Sequence, residues 1–264
     1  MNPGSANITT PHLSSSDAAP AVIINDLSFG YPGGSDILSH FNLTIPAGQR
    51  FGLFGPNGAG KTTLMNLMTG LLSFSVGSIR LLGNEIKKRH KSVNRLFGLV
   101  PQDLSFYQDL SPLENLEFFG AWAGLHKSEI RKRAAEVLDI LGLADVRDKK
   151  VQHFSGGMKR RVNLAIGVIH QPPILFLDEP TVGVDVQTRH AIINYLKELN
   201  QNGTTLIYTS HQLSEAEDLC ESIALIDQGR IVAHDDLGKL LSEHRQDGLE
   251  GLFLNLTDKN FRDL

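Results

Sequence analysis

Apolar residues along this chain change rhythm several times. From Ala21 to about Glu85 they come in short runs, Val22 to Ile24, Phe41 to Ile45 and Ile79 to Leu82, punctuated by Tyr31-Pro32-Gly33-Gly34 and Pro46-Ala47-Gly48. Such runs predict short strands of an antiparallel layer. Phe51-Gly52-Leu53-Phe54 forms a compact apolar strand, and beyond a glycine loop Leu64, Leu67, Met68 and Leu71 recur at helical spacing. Between Ser111 and Leu143 helical spacing dominates: Leu113, Leu116 and Phe119 precede a break at Gly124, and Ile130, Ala134, Val137, Leu138 and Leu141 follow it. Three further apolar strands, Ile174 to Leu177, Thr205 to Tyr208 and Ile223 to Ile226, are separated by helical segments. That alternation predicts an α/β core with a mostly parallel sheet.

The 264 residues, 41% of them hydrophobic, suffice for a sizeable core in one domain. The expected organisation is a disordered arm over 1–20, then a single domain over 21–264. A helical lobe of about 103–165 is inserted in that domain, and an extension without evident chemistry runs over about 235–264. The arm, MNPGSANITTPHLSSSDAAP, lacks the basic start and apolar centre of a signal peptide.

A net charge of −4 gives no global attraction to nucleic acid, and no nucleic-acid partner is expected. Lone Cys220 excludes an internal disulfide. No apolar run approaches the roughly 18 residues of a membrane-spanning helix, so a membrane role requires a partner chain. The ten histidines offer no His-x-x-x-His pair. Lys87-Lys88-Arg89-His90-Lys91 is expected to be a solvated basic loop.

Gly55-Pro56-Asn57-Gly58-Ala59-Gly60-Lys61-Thr62 fits G-x-x-x-x-G-K-[ST] between a predicted strand and a predicted helix, the context that a phosphate loop requires. Its glycines let backbone N–H groups close on phosphate oxygens at a helix N-terminus. Lys61 is then expected on the β- and γ-phosphates of ATP or GTP, Thr62 on Mg²⁺ and Thr63 beside the α-phosphate. Asp178 and Glu179 end an apolar strand, where open α/β sheets bind ligands. Asp178 is the candidate for Mg²⁺ and Glu179 for the proton of an attacking water. His211 closes another strand and is a candidate for the γ-phosphate or the water. Ser214 and Glu217, at capping-box spacing, offer a helix-capping alternative for that region. Gln102, after Leu99-Val100-Pro101, is on its own a turn residue. Ser155-Gly156-Gly157 precedes a helical run although glycine costs a helix roughly 1 kcal/mol per residue. The three residues are either a turn or an anion site.

The ordered set resembles the nucleotide-binding subunit of an ABC transporter, from Ala21 onward. Gly55 to Thr62 matches Walker A, Gln102 the Q-loop, Ser155-Gly156-Gly157 the signature and Ile174 to Glu179 Walker B. Val182-Gly183-Val184-Asp185 resembles the D-loop, and His211 matches the switch histidine. The resemblance implies that Tyr31 stacks on adenine, that Gln102 joins Thr62 and Asp178 at Mg²⁺, and that Glu179 and His211 are catalytic. Phe154, Met158 and Val184 depart from the family's common Leu, Gln and Leu. The stretches around Phe154, Thr181 and His211 are similar to ATPases of ABC-2 type exporters, which move drugs, lipids or polysaccharides.

The fold so implied is a P-loop NTPase core with an antiparallel β layer and an inserted helical lobe. The function implied is ATP hydrolysis in a head-to-tail dimer, each ATP lying between one subunit's phosphate loop and the other's Ser155, Gly156 and Gly157. A separate membrane-spanning permease subunit is the implied partner, holding this chain peripherally on the cytoplasmic side of the membrane, and an isolated monomer is expected to hydrolyse poorly. A soluble ABC-type ATPase acting on ribosomes or chromosomes would share these motifs, but commonly carries tandem cassettes or long inserted coils.

Overall fold

The computed structural model describes residues 20–86, 93–210 and 212–257. Residues 1–19 of the expected arm, the basic run from Lys87 to Lys91, and His211 lie outside the described residues. The strands are β1 (Pro20–Gly30), β2 (Asp36–Pro46), β3 (Arg50–Phe54), β4 (Val76–Leu81) and β5 (Asn84–Glu85), then β6 (Phe97–Val100), β7 (Ile174–Asp178), β8 (Thr205–Thr209), β9 (Ser222–Asp227) and β10 (Arg230–Asp236). The helices are α1 (Lys61–Met68), α2 (Pro112–Trp122), α3 (Lys127–Ile140), α4 (Gly156–Val168), α5 (Val186–Gln201), α6 (Leu213–Leu219), α7 (Leu237–His244) and α8 (Leu249–Thr257).

The expected antiparallel layer is a four-stranded sheet in the order β2-β1-β4-β5. The second sheet has six strands in the order β10-β9-β3-β8-β7-β6. It is parallel from β9 to β6, and β10 pairs antiparallel with β9. Its central strands β7 and β8 are buried throughout because both faces are covered. On β7, Ile174 and Phe176 face a core shared with the antiparallel layer and α1, while Leu175 and Leu177 face a second core formed with the other helices. Strand geometry sends successive side chains to opposite faces, so one run of five buried residues serves two cores.

Besides the two-residue β5, two strands were not among those expected from the apolar runs. Strand β6 is only four residues long, and its pairing with β7 (Phe97 with Ile174, Val100 with Leu177) is what makes it a strand. Strand β10 alternates exposed with half-buried positions and has β9 as its one sheet neighbour, while Ala233 and Ile231 pack against the two cores. The register of β6 has a functional consequence: it sets Pro101 and Gln102 beside Asp178 and Glu179.

In the helical lobe, α2 starts with a capping box in which Ser111 accepts from Glu114 N and Glu114 accepts from Ser111 N. Gly124 turns the chain between α2 and α3 at φ +82°, and a Cβ there would lie 2.1 Å from the Arg95 guanidinium. Arg95 donates to the carbonyls of Ala123 and Gly124, closing the end of α2. The stretch from about 235 builds α7 and α8, whose Leu237, Leu240, Leu249, Leu252 and Phe253 enter the helix-side core.

Candidate functional site

Strands β3, β6, β7 and β8 end at one edge of the parallel sheet, where each delivers chemistry. After Phe54 the chain passes through Gly55, where a Cβ would stand 2.1 Å from the Ile226 carbonyl oxygen, so only glycine fits. Gly58 adopts φ +78° with open space around its Cα, and Gly60 caps α1 at φ +102°. Lys61, the first residue of α1, is buried and donates from Nζ to Gly55 O at 2.8 Å and Pro56 O at 3.1 Å. Burial holds its pKa below the usual lysine range, against the opposing pull of Glu179 and Asp178.

Asp178 and Glu179 are both buried at the end of β7. The Thr209 hydroxyl, on neighbouring β8, donates to Asp178 Oδ1 at 2.6 Å and accepts from Glu179 N at 3.2 Å. One hydroxyl thereby fixes both acids. Glu179 has φ +50°, a left-handed conformation that costs a non-glycine residue about 1–3 kcal/mol and persists only where its surroundings impose it. Gln102, at the end of β6, donates from Nε2 to Glu179 Oε2 at 3.1 Å. Asn57, Gly58, Gly60, Lys61, Thr62, Thr63, Gln102 and Glu179, with Ile37, line one cleft of about 420 Å³. That size falls in the range of small-molecule sites.

Arg160 on α4 is buried and donates from Nη1 to Gln102 O at 2.6 Å. Asn163, one turn on, donates to Pro101 O at 3.1 Å. Burial lowers the Arg160 pKa, with Glu179 and Asp103 pulling the other way. The helix carrying Ser155-Gly156-Gly157 is therefore bonded to the loop carrying Gln102.

Ser155 is the N-cap of α4, its hydroxyl accepting from Met158 N at 3.3 Å, and the two glycines form the helix's first turn. Ser155 and Gly156 are exposed, and a Cβ on Gly156 would meet nothing within 4 Å. None of the three residues lines the cleft of its own chain. Phe154 is buried in the helix-side core and Met158 packs against it, which gives both departures from the common signature a packing role. Asp185 caps α5, accepting from the backbone N–H and the hydroxyl of Thr188 at 2.9 and 2.7 Å. Tyr31 stands 44% exposed, edge-on to Phe29, and is not among the residues lining the cleft. The capping alternative near His211 is corrected: α6 begins at Leu213 with Gln212 as N-cap, so Ser214 lies inside the helix and Glu217 instead accepts from Leu249 N.

Mg²⁺ fits the residues present. Among the described residues no group of three His, Cys, Asp or Glu side chains is arranged as a cage. The exposed Thr62 and the buried Asp178 carboxylate offer the one or two protein oxygens that suffice for Mg²⁺ on a nucleotide.

Residues 38–182, more than half of the chain, match the family model described as ABC transporter. The chain belongs to the ABC transporter family. The linearmycin resistance ATP-binding protein LnrL of Bacillus subtilis (strain 168) is 43% identical over 201 residues, which are 76% of this chain and 65% of LnrL. The Nod factor export ATP-binding protein I of Cupriavidus metallidurans is 39% identical over 201 residues, 76% of this chain and 66% of that protein. The chain thus spans just under two thirds of the length of these relatives. A solved ATP-binding subunit of an ABC transporter superposes with a TM-score of 0.84 at 28% identity, covering 90% of this chain and 99% of that one. The ATP-binding cassette MJ0796, solved as a dimer in a post-hydrolysis state with ADP and Pi, superposes with a TM-score of 0.75 at 27% identity, covering 82% and 98%. The ABC ATPase fold, with its α/β P-loop core, is the fold of this chain.

Sequence reasoning missed Thr209, Arg160 and Asn163, and a group around Glu215. The available signal was weak: a threonine ending the strand next to the acids, and polar residues inside otherwise apolar helical runs.

Proposed function

We propose that this chain is the ATP-hydrolysing subunit of an exporter. The observation that carries the reading is the convergence of Lys61, Gln102 and Glu179 on one cleft beside the phosphate loop. Glycine N–H groups, the α1 N-terminus and Lys61 bind and orient the triphosphate. Thr62 and Asp178, together with Gln102, would hold Mg²⁺, which would supply charge neutralisation at the phosphates. Glu179 orients a water and takes its proton as the water oxygen bonds to the γ-phosphorus and the bond to the bridging oxygen breaks, releasing ADP and phosphate. His211 is assigned to the γ-phosphate side of this site, and Tyr31 to adenine.

Ser155, Gly156 and Gly157 present a helix N-terminus away from their own cleft, which supports a head-to-tail dimer in which each chain completes the partner's site. The dimeric state of MJ0796 supports a dimer. None of the described helices is long and apolar enough to cross a membrane; the membrane-spanning part is assigned to a partner subunit. Tyr107, Phe118 and Trp122, 50%, 46% and 70% exposed, form an aromatic face five residues beyond Gln102 and along α2. That face is assigned to the partner, with the chain on the cytoplasmic side of the membrane. The relatives named for linearmycin resistance and Nod factor export support export, here of a drug, lipid or polysaccharide.

Purification of the chain from membranes tests this. Recovery with a polytopic membrane protein that stimulates ATP hydrolysis is expected; persistent recovery with ribosomes or DNA would overturn it.

A further inference from the structure

Glu215 lies in the first turn of α6, buried, and its carboxylate is used on both sides. Oε2 accepts from the Thr181 hydroxyl at 2.5 Å and from the Tyr208 hydroxyl at 2.8 Å. Oε1 faces Arg189 Nε of α5 at 2.7 Å, an ion pair whose angle is not that of an aligned hydrogen bond. Thr181 and Tyr208 are also fully buried, and their two hydroxyl oxygens lie 3.4 Å apart. Burial pushes the Tyr208 phenol far above its ordinary range, so it remains a neutral donor.

The position of this cluster in the chain gives it meaning. Thr181 is two residues beyond Glu179, across Pro180, in a turn where Val182 N donates to Glu179 O at 3.3 Å. Glu179 holds φ +50°, so its carboxylate direction depends on what fixes the backbone at each end. On the upstream side Thr209 accepts from Glu179 N through both its carbonyl and its hydroxyl. On the downstream side the anchor is the Thr181 hydroxyl on Glu215. The other arm reaches Arg189, whose backbone N–H donates to Asp185 O in the first turn of α5.

We propose that Glu215 is a positioning residue for Glu179: through Thr181 it clamps the turn that aims the general base, and through Arg189 it ties that turn to the segment around Asp185. The inference rests on the assignment of Glu179 as base. A carboxylate is the side chain that suits the site, because one oxygen accepts from two hydroxyls and the other faces a guanidinium cation. Glutamine would turn an N–H₂ group toward Arg189 or toward the two hydroxyls.

The test measures ATP hydrolysis by the full chain at protein concentrations where the rate per chain has levelled off, with ATP binding measured on the same samples. Thr181→Val and Glu215→Gln are expected to lower kcat by about 10–100-fold, the effect of a misplaced catalytic group, while KM for ATP stays within about twofold. Thr181→Ser, which keeps the hydroxyl, is expected to retain at least about half of the wild-type kcat. Wild-type turnover in Thr181→Val, an equal loss in Thr181→Ser, or a KM that rises in step with the lost rate would overturn the clamp. Glu179→Gln in the same series separates the two claims. Wild-type hydrolysis in that variant removes the base assignment, whereas an inactive Glu179→Gln beside a fully active Thr181→Val removes only the clamp.

Discussion

The side-chain amide of Gln102 donates to Glu179 Oε2 across 3.1 Å, joining the loop after β6 to the acid at the end of β7. Gln102 is itself held from behind by Arg160, on the helix that starts at Ser155. A chain of bonds therefore runs from α4, whose N-terminal end at Ser155 and Gly156 is exposed, to the Glu179 carboxylate.

Replacing Arg160 with Met keeps most of the apolar stem and removes the guanidinium. Hydrogen bonds from charged groups contribute about 1.5–3 kcal/mol, so the variant is expected to lose roughly that much stability in denaturant titrations. Partner-stimulated ATP hydrolysis is expected to fall more than ATP affinity, because Gln102 loses its support while the phosphate loop is untouched. Equal losses in binding and stimulation would place Arg160 outside this link.

Gly156 offers a sharper separation of stability from function. Space around its Cα is open and it stands in the first turn of α4, so Gly156→Ala is expected to stabilise the isolated chain by about 0.4–1 kcal/mol. The same methyl group would sit between the helix N-terminus and a partner's phosphate. Turnover is expected to collapse while thermal stability is unchanged or raised, read by melting and steady-state hydrolysis side by side.

The phosphate loop was legible because everything it needs is local: strand, glycines, lysine and helix within one short segment. The acids of β7 were legible for the same reason. Gln102 and Ser155-Gly156-Gly157 carried no decisive local signal, and it was the order of motifs that singled them out. Thr209, Arg160 and Glu215 carried only a weak signal, since their partners lie 31, 58 and 34 residues away and only the sheet register, for Thr209, and helix docking, for the other two, bring them together. The Ser214 and Glu217 spacing misled for the converse reason: a capping pattern has force only where the helix begins, and tertiary packing started α6 earlier. Strand β10 escaped notice because its alternating pattern is weak and its pairing with β9 supplies what the sequence lacks.

His170 gives the fold a pH dependence of defined sign. Its ring Nε2–H donates to Phe97 O at 3.0 Å, and burial lowers its pKa, with Arg133 and Arg95 nearby acting in the same direction. The unfolded chain, with a histidine pKa of about 6.5, therefore binds a proton that the folded chain refuses. Stability is full above that value and declines as pH falls through it toward the lower folded pKa. Melting temperature is expected to drop between neutral and mildly acidic pH, less steeply in His170→Gln, with a residual slope from His234, which burial also lowers. An identical slope in the variant would remove His170 from the account.

The most direct measurement of the central claim compares ATP binding and ATP hydrolysis in Glu179→Gln. The account predicts that the variant binds ATP as the wild-type chain does, remains dimeric with ATP bound, and hydrolyses it at least about 100-fold more slowly, as loss of a general base requires. Hydrolysis near the wild-type rate, with binding intact, would contradict it.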